Sequence, residues 1–114
     1  MMRERGGDLF TTAVSEAELF YGIAILPDGR RKHDLEAAAH SILALFAGRI
    51  LPFDSPAARE FARIVADRRR LGRPIDNLDA QIAAIARARN MSLATRDIQD
   101  FADAGVPIFD PWQL

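Results

Sequence analysis

The sequence predicts an α/β domain whose short parallel sheet is covered by helices on both faces. Short apolar runs alternate with longer stretches in which apolar residues recur at helical spacing. Turn formers, namely Pro27-Asp28-Gly29, Gly48, Gly72-Arg73-Pro74 and Gly105, punctuate the changes between them. The resulting order is β-α-α-β-α-α-β-α-β. Strands separated by helices pair in parallel, and such sheets are buried on both sides.

Residues 9–14, rich in Phe, Thr and Val, form the first expected strand. Ser15 is the expected N-cap of the following helix, with Glu18 completing a capping box. That helix carries Leu19, Phe20, Ile23 and Leu26 on one broad face and breaks at Pro27. The second helix covers 31–47, with Leu35, Ala38, Ala39, Ile42, Leu43 and Phe46 in period and Gly48 as its C′ residue. A strand at 50–53 leads to Ser55-Pro56, a cap followed by proline at the first helical position. The third helix presents Ala57, Phe61, Ile64, Val65 and Arg68 on one side. Asp76 or Asn77 caps a fourth, with Leu78, Ile82 and Ile85, and Asn90 closes it. A strand at 92–95, a helical turn at 98–104 and a strand at 107–109 complete the chain.

The 114 residues suit one domain spanning 1–114. Hydrophobic residues at 49% and charged residues at 27% give an ordinary globular balance, which excludes a disordered chain. The absence of cysteine excludes a disulfide framework and a thiolate metal site, so any metal must sit on oxygen or imidazole. No apolar run reaches the roughly 20 residues of a membrane span. Residues 1–7 are polar and lack the apolar segment of a signal peptide. A soluble, cytoplasmic protein is expected, without a membrane partner. The net charge of −1 does not advertise a nucleic-acid binder. Basic residues nevertheless cluster at Arg30-Arg31-Lys32 and at Arg68, Arg69, Arg70 and Arg73. Each cluster is either a phosphate contact or a solvated helix end whose cations suit the helix dipole.

In a parallel α/β sheet the ligand site lies beyond the carboxyl ends of the strands. That rule selects residues 15–18, Asp54 and Arg96-Asp97, and it brings in Asp79 at a helix start. Glu18, Asp79, Asp97 and Asp100 are therefore the candidate site acids. Carboxylates gathered on one edge raise each other's pKa, and a hard divalent cation relieves the repulsion. Each acid also has a structural reading: Glu18 in a capping box, Asp79 as a first-turn acid, Asp97 as an N-cap with Asp100 three residues on. Asp54 reads as a cap. His33 and His40 stand seven apart on one helix, too far for a paired metal site, and read as surface or partner-facing.

The run Thr11-Thr12-Ala13-Val14-Ser15-Glu16-Ala17-Glu18-Leu19-Phe20-Tyr21-Gly22 resembles the second motif of VapC- and FitB-type PIN domains. Leu51-Pro52-Phe53-Asp54 is similar to the family's next strand. Gly72-Arg73-Pro74-Ile75 with Asp79-Ala80-Gln81-Ile82-Ala83-Ala84 resembles the third motif. Leu93-Ala94-Thr95-Arg96-Asp97-Ile98-Gln99-Asp100-Phe101 resembles the fourth, and Ile108-Phe109-Asp110-Pro111-Trp112 resembles a VapC tail. The resemblance implies a PIN-like three-layer α/β/α fold and a metal-dependent endoribonuclease, the toxin of a toxin–antitoxin pair. It implies Mg²⁺ or Mn²⁺ on Glu18, Asp79 and Asp97 as catalytic metal-site acids, with Asp100 secondary. It also implies an RNA substrate, with Arg73 and Arg96 as candidate contacts, and a homodimer or higher oligomer. The implied inhibitor is a small antitoxin whose basic residue enters the acidic pocket.

The family begins with a central strand ending in an Asp-Thr-Asn-like motif, followed by two helices, and nothing here matches them. The sequence reading is thus a PIN-like domain lacking its first strand and first acid. A gene start set too late or proteolysis, a strand supplied by another chain, or an inactive relative would each produce this. An unfilled central gap exposes backbone groups on both neighbouring strands, which predicts re-pairing or assembly. The alternative function is a non-catalytic PIN remnant that binds the antitoxin or RNA without cleaving it.

Overall fold

The computed structural model describes residues 1–4, 7–95 and 97–109. Its elements are β1 (Met2–Arg3), β2 (Leu9–Thr12), α1 (Ala13–Ala24), α2 (Arg30–Ala44), β3 (Ile50–Leu51), α3 (Ser55–Arg70), α4 (Asn77–Ala88), β4 (Ser92–Ala94), α5 (Ile98–Phe101) and β5 (Ile108–Phe109). The strands form one sheet in the order β3-β2-β1-β4-β5, flanked by the helices.

The sheet is mixed, which corrects the all-parallel expectation. β2 pairs with β3 and β4 with β5 in parallel. Between them β1 runs antiparallel to both β2 and β4, with Met2 opposite Phe10 on one side and Leu93 on the other. The polar opening segment carries no strand signal, since two residues cannot show a period of two. Its position is fixed from outside: Ala94 N–H donates to the Met1 carbonyl at 2.7 Å, and Met2 is 0% exposed in the core. β1 therefore re-pairs the central gap, and the unfilled edges that predicted assembly from the sequence are absent here.

Helix starts follow local chemistry. Thr12, not Ser15, caps α1: its backbone is extended and its Oγ1 accepts from the Ser15 N–H at 2.9 Å. The first strand consequently ends at Thr12, two residues earlier than expected. We expect Thr12→Ala to cost about 1 kcal/mol, and thermal unfolding followed by circular dichroism should show Tm lower by about 5 °C. Thr12→Ser should restore most of the loss. Asp54, not Ser55, caps α3, accepting from Ala57 N–H at 3.2 Å, so Ser55 is the first helical residue and Pro56 the second. Asp76 caps α4, accepting from Leu78 and Asp79 N–H at 3.1 and 3.4 Å. Asn90, in the left-handed region at φ 55°, closes α4 as its sequence position predicted.

The core lies between the sheet and α4. Ala80, Ile82, Ala83, Ala84, Ile85 and Ala86 are all buried, and they meet Met2, Leu51, Ile64, Leu93 and Phe101. Small alanine side chains let α3 approach α4 closely, while Ile82 and Ile85 each contribute about 2 kcal/mol by burial. The α1–α2 pair leaves Leu19, Tyr21, Ile25, Leu35 and Ile42 exposed. No helix of the described residues is long and apolar enough to cross a membrane.

The basic clusters divide. Arg69 and Arg70 lie exposed in the last turn of α3, where cations suit the dipole, whereas Arg68 beside them is buried, which corrects the solvated reading there. Arg30 and Arg31 lie at the N-terminus of α2, the end that disfavours cations, which corrects the dipole reading there. Lys32 instead reaches back to the Ala24 carbonyl at 3.1 Å and to Asp28 at 3.2 Å.

Candidate functional site

β2, β3, β4 and β5 run the same way, so their carboxyl ends share one edge. α1 leaves that edge directly from Thr12 and carries Glu18 in its second turn. α4 opens with Asp76 as cap and Asp79 in its first turn. Asp97 stands just before α5, and Asp100 lies in that helix.

The structural readings of these acids divide: Asp79 and Asp100 are first-turn acids of α4 and α5 as their positions suggested, whereas Glu18 has no capping role. Thr12 performs the capping that would have explained Glu18. Asp76 performs the capping at α4, leaving the Asp79 carboxylate without a cap bond. Asp97 occupies an N-cap position but makes no side-chain cap bond; its own N–H donates to Thr95 Oγ1 at 3.0 Å. The ion pairs between described residues use Asp28, Asp54, Glu60, Asp67 and Asp103, and none uses Glu18, Asp79, Asp97 or Asp100.

The consequence appears at Asp79, which is half-buried. Its pKa is pushed up from the ordinary 3.8 to about 6, first by burial and then by the charges of Asp76, Asp100, Glu18 and Asp97. All four sequence-selected acids therefore meet in one electrostatic field. Asp76 joins them; its position three residues before Asp79 was the available signal, and the sequence reading used it only as a cap. Among the described residues no three carboxylates or imidazoles are gathered tightly enough to hold an ion as the side chains stand. Mutual repulsion among the described carboxylates favours that spread. The donor set is all oxygen and strongly anionic, which fits a hard divalent cation.

Of the candidate RNA contacts, Arg73 is half-exposed and pairs with Asp103 at 2.6 Å, whereas Arg96 lies outside the described residues. Residues 110–112 of the tail motif lie outside them too. His33 and His40 are both exposed, as expected, with the His40 ring 4.9 Å from Phe20. Asp54 is the cap foreseen and also meets Arg89 at 3.4 Å. An apolar groove of 480 Å³ runs between α1 and α2, lined by Leu19, Ile23, Leu26, Leu35 and Ile42, and Glu18 stands on its wall.

A mixed α/β sheet with acids converging at its carboxyl edge defines an acidic-site domain of the kind found in metal-dependent nucleases. The PIN domain family model matches residues 2–107, and the chain belongs to that family. It is 43% identical over 106 residues to Toxin FitB of Neisseria gonorrhoeae, covering 92% of this chain and 76% of that protein. It is 38% identical to VapC ribonuclease Y4jK of Sinorhizobium fredii over the same shares. The crystal structure of FitAcB from Neisseria gonorrhoeae superposes with a TM-score of 0.87 at 42% identity, covering 94% of this chain and 78% of that one.

Proposed function

We propose that this protein is a metal-dependent endoribonuclease acting in the cytoplasm as the toxin of a toxin–antitoxin pair. The observation that carries the reading is the convergence on Asp79 of carboxylates that form no ion pair among the described residues. Glu18, Asp79 and Asp97 would hold Mg²⁺ or Mn²⁺, with Asp100 secondary. Such an ion supplies a hydroxide nucleophile and stabilises charge on the transferring phosphate. The chain's own contribution is to hold the acids on three separate elements, so that repulsion keeps the pocket open for a cation. Arg73, within the α3–α4 turn, and Arg96 would face the RNA backbone.

The groove between α1 and α2 fits the antitoxin. Its apolar wall suits an amphipathic segment, and Glu18 offers a basic side chain an anionic partner at the site itself. A ribonuclease named VapC and a toxin among the relatives support this reading, as does the family resemblance for a homodimer.

Cleavage of an RNA panel with Mn²⁺ present tests the proposal. The parent chain should cut and EDTA should stop it, while Glu18→Gln should lose about 100-fold or more, exceeding the 10–100-fold typical of outer-shell changes. No cleavage by the parent chain under any divalent ion, together with an Mn²⁺ isotherm unchanged in Glu18→Gln, would overturn it.

A further inference from the structure

Arg68 is the sole charged side chain that is buried among the described residues, at 5% exposure. No carboxylate pairs with it there. Burying a cation costs several kcal/mol unless hydrogen bonds replace its water. Three backbone carbonyls do so: Nε donates to Arg73 at 2.6 Å, and Nη1 donates to Asp100 at 3.1 Å and Ala102 at 2.8 Å.

Those carbonyls belong to two segments that carry site acids. Arg73 begins the turn leading to Asp76 and Asp79 on α4. Asp100 and Ala102 belong to the α5 segment that carries Asp97 and Asp100 themselves. A leucine or methionine would fill this position on α3 without the cost of a buried charge. A lysine would keep the charge but lack the planar fork that serves carbonyls in two directions. The Arg73–Asp103 pair makes a second, exposed tie between the same segments.

We propose that Arg68 is a positioning residue of the acidic site, fixing the α5 acids against the α4 acids. The consequence for metal affinity rests on the metal reading above; the positioning itself does not. α5 is a single turn of helix anchored in the core by Phe101, and Arg68 holds the backbone carbonyls on either side of that anchor.

The test uses the full chain with Arg68→Met, Arg68→Lys and, as a destabilised control on the same helix, Ile64→Val. Without metal, amide hydrogen exchange over residues 97–104 should accelerate at least about tenfold in both Arg68 variants. Exchange in α1 and α2 should not change. In calorimetric titration, Mn²⁺ affinity should fall at least about tenfold in both, while Ile64→Val stays within about twofold of the parent. Should Arg68→Met fail to fold, Arg68→Lys carries the test. Exchange at 97–104 that rises no more than in α1–α2 overturns the proposal. A parent chain that binds no Mn²⁺ sinks the metal reading by itself, and the exchange result still decides the positioning role.

Discussion

Replacing Asp79 by asparagine should abolish Mn²⁺ binding and reduce RNA cleavage by about 100-fold or more, while making the metal-free protein harder to unfold at pH 8. The two effects share one cause. Asp79 has a folded pKa of about 6 against an ordinary 3.8, raised by burial and by the neighbouring acids. Between those values the folded protein holds a proton that the unfolded chain has released. Stability from this group is therefore complete below pH 3.8 and is lost as pH rises through 6. Because the carboxylate is partly solvated, screening reduces the penalty above pH 7 to about 1 kcal/mol. Asp79→Asn removes it, so the variant's Tm should exceed the parent's by about 5 °C at pH 8 and converge with it toward pH 4. Added Mn²⁺ should raise the parent's Tm alone. Parent affinity for Mn²⁺ should decline as pH falls below about 6, because the proton and the ion compete for one carboxylate. A variant that is less stable at pH 8, or that still binds Mn²⁺, would contradict the assignment.

Met2→Asp should unfold the protein or remove at least about 3 kcal/mol, a large share of the 5–15 kcal/mol a domain possesses. Met2 is 0% exposed and sits between Phe10 and Leu93 in the middle of the sheet. A carboxylate there is removed from water into a core cluster that includes Ile, Leu and Ala side chains. Met2→Leu keeps volume and apolarity and should cost less than about 1.5 kcal/mol. Urea unfolding of the two variants beside the parent measures both. If Met2→Asp unfolded at the parent's midpoint, β1 could not be the central strand, and β2 and β4 would need another partner. Arg3, the second residue of β1, lies 5.0 Å from the centre of the Phe109 ring and adds a contact across to β5.

The long helices were legible because their signals are local. α3 runs over Ser55–Arg70 and α4 over Asn77–Ala88, close to the bounds set by periodicity, caps and glycines. The acids were legible for a related reason: a strand end or helix start marks Glu18, Asp79 and Asp97, and the chain order of the PIN motifs agreed. Where two local signals competed, sequence alone chose poorly. Thr12 and Ser15 are both competent caps. The backbone decided for Thr12, because β2 holds it extended by pairing with β3 at Leu51. The same choice released Glu18 from its capping role.

The sequence by itself determined the α/β class, the family, the succession of helices and four of the clustered acids, Asp76 excepted. These depend on spacing and residue chemistry within a few turns of chain. Only the tertiary structure decided what fills the centre of the sheet, why Arg68 is buried, and how strongly the acids act on Asp79. A two-residue strand has no periodicity and exists only through the bonds that its neighbours supply. A buried guanidinium is tolerable only where carbonyls from distant segments converge. A carboxylate's pKa reflects charges brought near it by folding, and Glu18, Asp97 and Asp100 reach Asp79 from two other helical segments.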